Sequence, residues 1–474
     1  MSVKLRDDQM ATLVHHIQQP KTLSLSDPGT GKTIPAVINQ YRRIEDEGIA
    51  TVWVQPKALM PKNVREILKF TPLTEQDVGI LDGTKVQMDR VMALEPAVIL
   101  MGPDRFKRVW KDLPERYKAI DVDEMHMCFG GPTSNRVAEF NAAQSRFEQS
   151  VMMSGTLING RWDSAWPAIN AINPMYYPWG WDGFLAEHAF LDERSRPISW
   201  QNSERLSQIF GAHGIRYTFE QIFGKQAVVF ETEWVAMNDK QRAIYSEFEE
   251  NAMLELENFI IDGTLPGVNL IRARQIMEHP NYFRDLRDPY NLPHVDIMPG
   301  ERPAKLEALE IHFEHHLQTN TPVIVFAALV PQMREIHALA ERMGLRPGPI
   351  LNGDATAAEK NDADVGFVSG KYQCLVGSAP VCSVGYNWQD WGSNLIETDH
   401  VIFASLTYMD SDFIQGYRRT IRRARQRPLR VTTQAYIDSV DIKIMGINVR
   451  KSRLANQIDP TREIIRFNSH EEVD

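Results

Sequence analysis

The apolar run Thr22–Ser26 leads directly into Ser26-Asp27-Pro28-Gly29-Thr30-Gly31-Lys32-Thr33, and a helix-like stretch follows. Few folds accept that order. Glycines let backbone N–H groups approach an anion closely, and a helix N-terminus adds the positive end of its dipole. The lysine neutralises charge, and the threonine hydroxyl can ligate a divalent cation. Strand, glycine loop and helix in succession point to a phosphate-binding loop in a parallel α/β sheet. Gly29, Thr30, Gly31, Lys32 and Thr33 are then its phosphate-binding residues. The pattern G-x-x-x-x-G-K-[ST] is met except at its first position, where Ser26 stands. Taken alone, the loop also fits an ordinary glycine turn.

A second motif answers the first. The apolar residues Ala119–Val122 run into Asp123-Glu124-Met125-His126. A carboxylate at the end of a buried strand can hold Mg2+, and the next one can polarise an attacking water. Asp123 is the candidate metal ligand, with Thr33, and Glu124 the candidate base. An acidic strand-end loop is the plain alternative. The strand Ala119–Val122 can lie beside the phosphate loop, however, so the two motifs read together as a site for ATP and Mg2+. Ser154-Gly155-Thr156 follows the next apolar run and is either a tight turn or an element that passes on the state of the nucleotide.

These motifs lie in an α/β pattern. Candidate strands at Thr22–Ser26, Thr51–Gln55, Ala97–Met101, Ala119–Val122 and Ser150–Met153 alternate with helix-like stretches. A second alternation follows at Val323–Phe326, Gln373–Val376, His400–Phe403 and Leu429–Thr433. The 474 residues suit two or three domains at roughly 150 residues each. We expect an N-terminal nucleotide-binding lobe over 1–172, a mostly helical connector over 173–300, a second α/β lobe over 301–455 and a polar tail over 456–474. No apolar run approaches the ~20 residues of a membrane helix. The three cysteines form no CxxC pair, so a reducing, cytoplasmic setting is expected and a membrane partner is not.

The net charge of −10 argues against coating a polyanion by bulk charge, but a local basic track remains possible. From Gln415 to Ala455 the chain carries eleven basic residues, Arg418 to Arg453, against only Asp438 and Asp441. Within it, Arg419 and Arg422 are three apart, the spacing of one helical face. A guanidinium facing a γ-phosphate stabilises transition-state charge, and Arg422 is the preferred candidate, with Arg419 in support. Arg423 and Arg425 are candidates for nucleic-acid phosphates, or for a solvated face.

In this order the motifs resemble superfamily-two helicase-like ATPases, and among them the Swi/Snf-type translocases. Leu5-Arg6-Asp7-Asp8-Gln9 looks like the family's adenine-contacting motif, which implies that Gln9 reads adenine. Gln55-Pro56-Lys57-Ala58-Leu59, followed by Asn63 and Glu66, is similar to the Ia segment, implying that Lys57 touches a nucleic-acid backbone. Ser154-Gly155-Thr156-Leu157-Ile158-Asn159 follows the family's coupling element, with Leu157 in place of proline. Ile215-Arg216-Tyr217-Thr218 resembles its Arg-Arg-Thr segment, and Arg274-Gln275-Ile276-Met277-Glu278-His279-Pro280 its connector motif. Ser378 to Asn387-Trp388, with Ser383 and Gly385, keeps register with motif V, and Gln415, Arg419 and Arg422 with motif VI.

The resemblance implies two RecA-like lobes that hydrolyse ATP between them and move along DNA, duplex or forked. It places Gly385 at the nucleotide and Asn387 and Trp388 at the DNA, although Trp388 could equally pack in a core. A compact phage-like or annealing-helicase-like motor is implied, with replication or recombination proteins as further partners. The rival readings are a strand-separating DNA or RNA helicase, a motor subunit of a defence complex, and a non-hydrolysing DNA-binding recruitment protein.

Overall fold

Runs in which every residue is buried, such as Ala50–Val54 and Val98–Met101, belong in a parallel sheet covered on both faces. The computed structural model describes residues 4–155, 158, 161–256, 259–262, 266–283, 295–382 and 385–468. It divides into two compact units, Met1–Lys225 with Lys451–Ile464, and Gln226–Arg450 with Ile465–Asp474.

The first unit is built on β1 (Lys21–Ser24), β2 (Ala50–Val54), β3 (Val78–Ile80), β4 (Val98–Met101), β5 (Tyr117–Val122) and β6 (Gln149–Met153). A hairpin of β7 (Ala189–Leu191) and β8 (Pro197–Trp200) follows, and then the short β9 (Gly214–Ile215). The sheet order is β3-β4-β2-β5-β6-β1-β9, and its pairings are parallel. Side chains alternate across it as the two-residue strand period requires. Val52, Val54, Ile120 and Val122 join one core, while Trp53, Leu100, Val151 and Met153 join the core on the other face. Each fully buried Val, Leu or Ile contributes about 1.5–3 kcal/mol.

The helices α1 (Asp7–Gln18) and α2 (Thr33–Glu47) flank the Gly29-Thr30-Gly31 loop of this sheet. A buried ion pair ties α2 to the sheet. Arg43 lies 2.8 Å from Asp121 of β5, their side chains 1% and 0% exposed. Gln40 donates to the other Asp121 oxygen at 2.8 Å, and the Val151 amide of β6 donates to Oδ1 at 3.1 Å.

The second unit holds β10 (Val228–Val235), the hairpin β11 (Met253–Leu256) and β12 (Phe259–Asp262), β13 (Val323–Phe326), β14 (Cys374–Gly377), the pair β15 (Asp390–Trp391) and β16 (Ile396–Glu397), β17 (His400–Phe403) and β18 (Leu429–Tyr436). Its main sheet, β10-β18-β17-β13-β14, is again parallel. Lys305 is buried between Glu278 at 2.8 Å and Asp441 at 2.7 Å, and burial pushes the Glu278 carboxyl up to about 7. The fold is therefore mixed α/β with two parallel sheets, the architecture of two RecA-like lobes.

The stretch 173–300 is shared between the units and is less purely helical than its charge pattern suggests. β9 completes the first sheet, and β10 forms an edge of the second. From 456 onward the chain holds the end of the helix Val440–Ile458 and buried Ile458, Arg462 and Ile465. No described helix is long and apolar enough to cross a membrane.

Candidate active site

β1 ends at Ser24 and α2 begins at Thr33, so the glycine loop spans the gap between a strand paired on both sides and a helix N-terminus. Gly29 and Gly31 both adopt φ +85°, the left-handed region where a Cβ is costly. Space is also short. A Cβ on Gly31 would lie 2.8 Å from Gln9 Nε2 of α1, which puts the expected adenine reader against the loop. Gln9 is 4% exposed, and its Nε2 has no hydrogen-bond partner.

Lys32 is folded back on its own loop, donating to the carbonyls of Ser26 at 2.6 Å and Asp27 at 3.1 Å. Burial pulls its ammonium below the usual lysine range, against the opposing charges of Glu124, Asp123 and Asp27. Thr30 closes the turn, its hydroxyl donating to Asp27 O at 2.7 Å.

The acidic residues follow β5 in the same sheet. Asp123 accepts from Asn63 Nδ2 at 3.2 Å and from the Glu124 amide at 3.0 Å. Burial, and next the Glu124 charge, push its carboxyl up to about 6, with Lys32 opposing. Glu124 has φ +50°, a conformation that costs a non-glycine residue roughly 1–2 kcal/mol. Amides of Met127 and Cys128 hold it there by donating to its carbonyl at 2.8 and 3.1 Å. Its Oε2 is buried without a hydrogen-bond partner. Among the described residues no three His, Cys, Asp or Glu cluster as a metal cage. A carboxylate and a hydroxyl, Asp123 and Thr33, are hard oxygen donors that suit Mg2+, which takes few protein ligands and leaves the others to phosphates and water.

The third element joins the second through His126, whose Nδ1 lies 2.9 Å from Ser154 Oγ. Burial, with Arg462 and Lys32 nearby, pushes the imidazole down to about 3, so it is neutral at ordinary pH. Gly155 packs on the phosphate loop, for a Cβ there would meet Pro28 Cδ at 2.8 Å. Thr156, with Leu157 and Asn159, lies outside the described residues. The structure thus brings Gln9, Gly29, Thr30, Gly31, Lys32, Thr33, Asp123, Glu124, Ser154 and Gly155 into one unit. Asn63 is an addition. Its place in the segment after Lys57 suggested a backbone contact, yet its amide is buried against Asp123 and Gln55. Lys57 itself is exposed and pairs with Asp82 at 2.9 Å.

In the second unit the arginines depart from expectation. The helix Asp410–Tyr417 passes into a 3-10 turn over Arg418–Thr420, and Ile421 is extended at φ −128°. Arg419 and Arg422 therefore do not share a helical face. Gln389 Oε1 accepts the amides of Arg422 and Arg423 at 2.7 and 2.9 Å, replacing the helical carbonyls. Arg419 is buried, its Nε donating to Gln415 O at 3.1 Å. Arg422 is half-buried and donates to Tyr386 O at 2.6 Å.

Two further expectations are corrected. Trp388 is fully buried, donates to Asp364 at 2.9 Å and stacks on Tyr386, so its ring cannot take a base. The Arg425 guanidinium is taken up by the carbonyls of Thr420, Thr398 and Arg427, which makes it a loop brace, not a phosphate contact. Arg423 stays exposed but pairs with Asp390 at 2.7 Å. Asn387 is exposed, and Gly385 takes φ +89°. Ser383 lies outside the described residues.

Residues 6–162 match the model of the family described as DEAD/DEAH box helicase. No curated protein matches the chain. Among solved structures it is similar to the Pyrococcus furiosus Hef helicase domain, at 16% identity and a TM-score of 0.51, over 93% of this chain and 97% of that one. It is also similar to the Sulfolobus solfataricus SWI2/SNF2 ATPase core in complex with dsDNA, at 16% identity and a TM-score of 0.43, over 93% and 90% of the two chains.

Proposed function

For this chain, whose residues 6–162 match the DEAD/DEAH box helicase family, we propose a superfamily-two helicase-like ATPase that translocates along duplex or forked DNA. The observation that carries the nucleotide part is the pairing of the Gly29–Thr33 loop with Asp123 and Glu124 in one parallel sheet, Lys32 lying within the electrostatic reach of both carboxylates.

In this reading the loop amides and Lys32 receive the β- and γ-phosphates, and Gln9 reads the base. Thr33 and Asp123 hold Mg2+, which when bound neutralises phosphate charge. Glu124 accepts a proton from the attacking water. Arg422, with Arg419 in support, is the candidate guanidinium for the γ-phosphate and Gly385 a candidate nucleotide contact, as the motif order implies. Ser154, Gly155 and Thr156 couple hydrolysis to motion, with His126 as the link from the acidic box. Lys57, Asn387 and Arg423 are the DNA contacts in this reading.

The duplex preference rests on the Swi/Snf-type connector at Arg274–Pro280 and motif V. In the structure, Arg274 donates to Leu406 O at 2.7 Å and Glu278 holds Lys305. The connector residues thus brace the second unit internally. A triplex-displacement assay run beside a fork-unwinding assay tests the preference. ATP-dependent displacement of a third strand without long-duplex unwinding is expected. Unwinding of long duplexes with no triplex displacement would favour a strand-separating helicase.

A further inference from the structure

A carboxylate inside a phosphate-binding loop opposes the anion that loop must receive. Asp27 is such a group. It precedes Pro28 and Gly29, its side chain is 9% exposed, and its charge acts on Lys32. It is also structurally committed, accepting the Phe219 amide at 3.1 Å. Its charge is met by Arg216, whose Nη2 lies 3.0 Å from Oδ1 while Nη1 donates to Leu25 O at 2.5 Å.

Arg216 is itself aimed by residues far along the chain. Its Nε lies 2.7 Å from Asp459 Oδ2 and 2.7 Å from Thr461 Oγ1. The Thr461 hydroxyl donates to the other Asp459 oxygen at 2.6 Å. The neighbouring residues anchor the same segment to the first unit. Trp162 donates to Leu454 O at 3.1 Å, Ser207 to Ile458 O at 2.5 Å, and Arg462 to Ile158 O at 3.2 Å. Arg462 is 9% exposed and lies close enough to His126 for its charge to be felt there.

We propose that Leu454–Arg462 completes the nucleotide site, with Asp459 holding Arg216 so that its guanidinium neutralises Asp27 and lets the loop accept a Mg-nucleoside triphosphate. This rests on the reading of the loop as a nucleotide site. Arg216 acts through Asp27, so it is a positioning residue, and the C-terminal segment becomes a lever on nucleotide affinity instead of a tail.

The test is equilibrium binding of a fluorescent, non-hydrolysable ATP analogue with Mg2+ to the full chain. Arg216→Ala is expected to weaken binding about tenfold or more, the loss of one charge-assisted contact. Asp459→Asn, which leaves the loop and Arg216 in place, is expected to weaken it by roughly threefold through looser aiming of the guanidinium. In an Asp27→Asn background, Arg216→Ala is expected to change affinity by less than about twofold, because no buried charge is left to neutralise. Equal weakening by Arg216→Ala in both backgrounds, or none in either, overturns the proposal while the native chain still binds. Failure of the native chain to bind the analogue overturns the nucleotide reading itself, and this inference with it.

Discussion

A Glu124→Gln variant is expected to bind Mg-ATP with near-native affinity and to hydrolyse it about 10²–10⁴-fold more slowly, the usual worth of a positioned general base. Glutamine keeps the shape and the left-handed backbone at this position, where the carbonyl of Glu124 accepts two amides and opens the helix Met125–Phe129. What it removes is the basic oxygen. Glu124 Oε2 is buried with no hydrogen-bond partner, and His126 Nδ1 lies 3.5 Å from it. Single-turnover hydrolysis beside equilibrium nucleotide binding separates the two effects. A native hydrolysis rate in this variant would remove Glu124 from the mechanism.

The largest expected loss of stability is at Arg43. Replacing it by alanine leaves Asp121, fully buried in β5, without its guanidinium and with only Gln40 and the Val151 amide to hold it. Breaking a buried pair on one side costs about 3–5 kcal/mol, readable as a shift in the urea unfolding midpoint. The double change Arg43→Met with Asp121→Leu is expected to recover most of that loss, since apolar isosteres replace such pairs at little cost. A single Arg43→Ala change that leaves the midpoint unmoved would contradict this view of the core. The pair matters beyond stability, because it joins the helix behind the phosphate loop to the strands that carry Asp123 and Ser154.

The grouping of the candidate site residues in one unit is legible in the sequence because their motifs are local and sit at strand ends. Fully buried parallel strands appear as short apolar runs, so Val323–Phe326 and His400–Phe403 are found as expected, and the remaining candidate strands lie within a few residues of the observed ones. β10 carries no fully apolar run, because it is an edge strand and its Phe230-Glu231-Thr232-Glu233 mixes charged residues into the expected helical connector. β9 is two residues long and carries no pattern of its own.

The misread positions were decided by distant partners. Helical spacing places Arg419 and Arg422 together, but the helix ends at Tyr417 and the Gln389 side chain takes the amides of Arg422 and Arg423. Trp388 suits a base equally well until Asp364 is seen taking its indole N–H. Arg216 stood out as part of a segment, yet its purpose depends on Asp27 before it and Asp459 far after it. Pairings of that kind leave no periodicity in the chain.

In the proposed mechanism the Gly29–Thr33 loop and the Asp123–Glu124 box form the engine of a duplex-DNA motor. The most direct measurement is the ATP hydrolysis rate of the native chain and of Lys32→Ala, each with single-stranded, duplex and forked DNA and with RNA in parallel. Hydrolysis stimulated most by duplex or forked DNA is expected in the native chain, and none in the variant. An intact, DNA-stimulated rate in Lys32→Ala would contradict that mechanism.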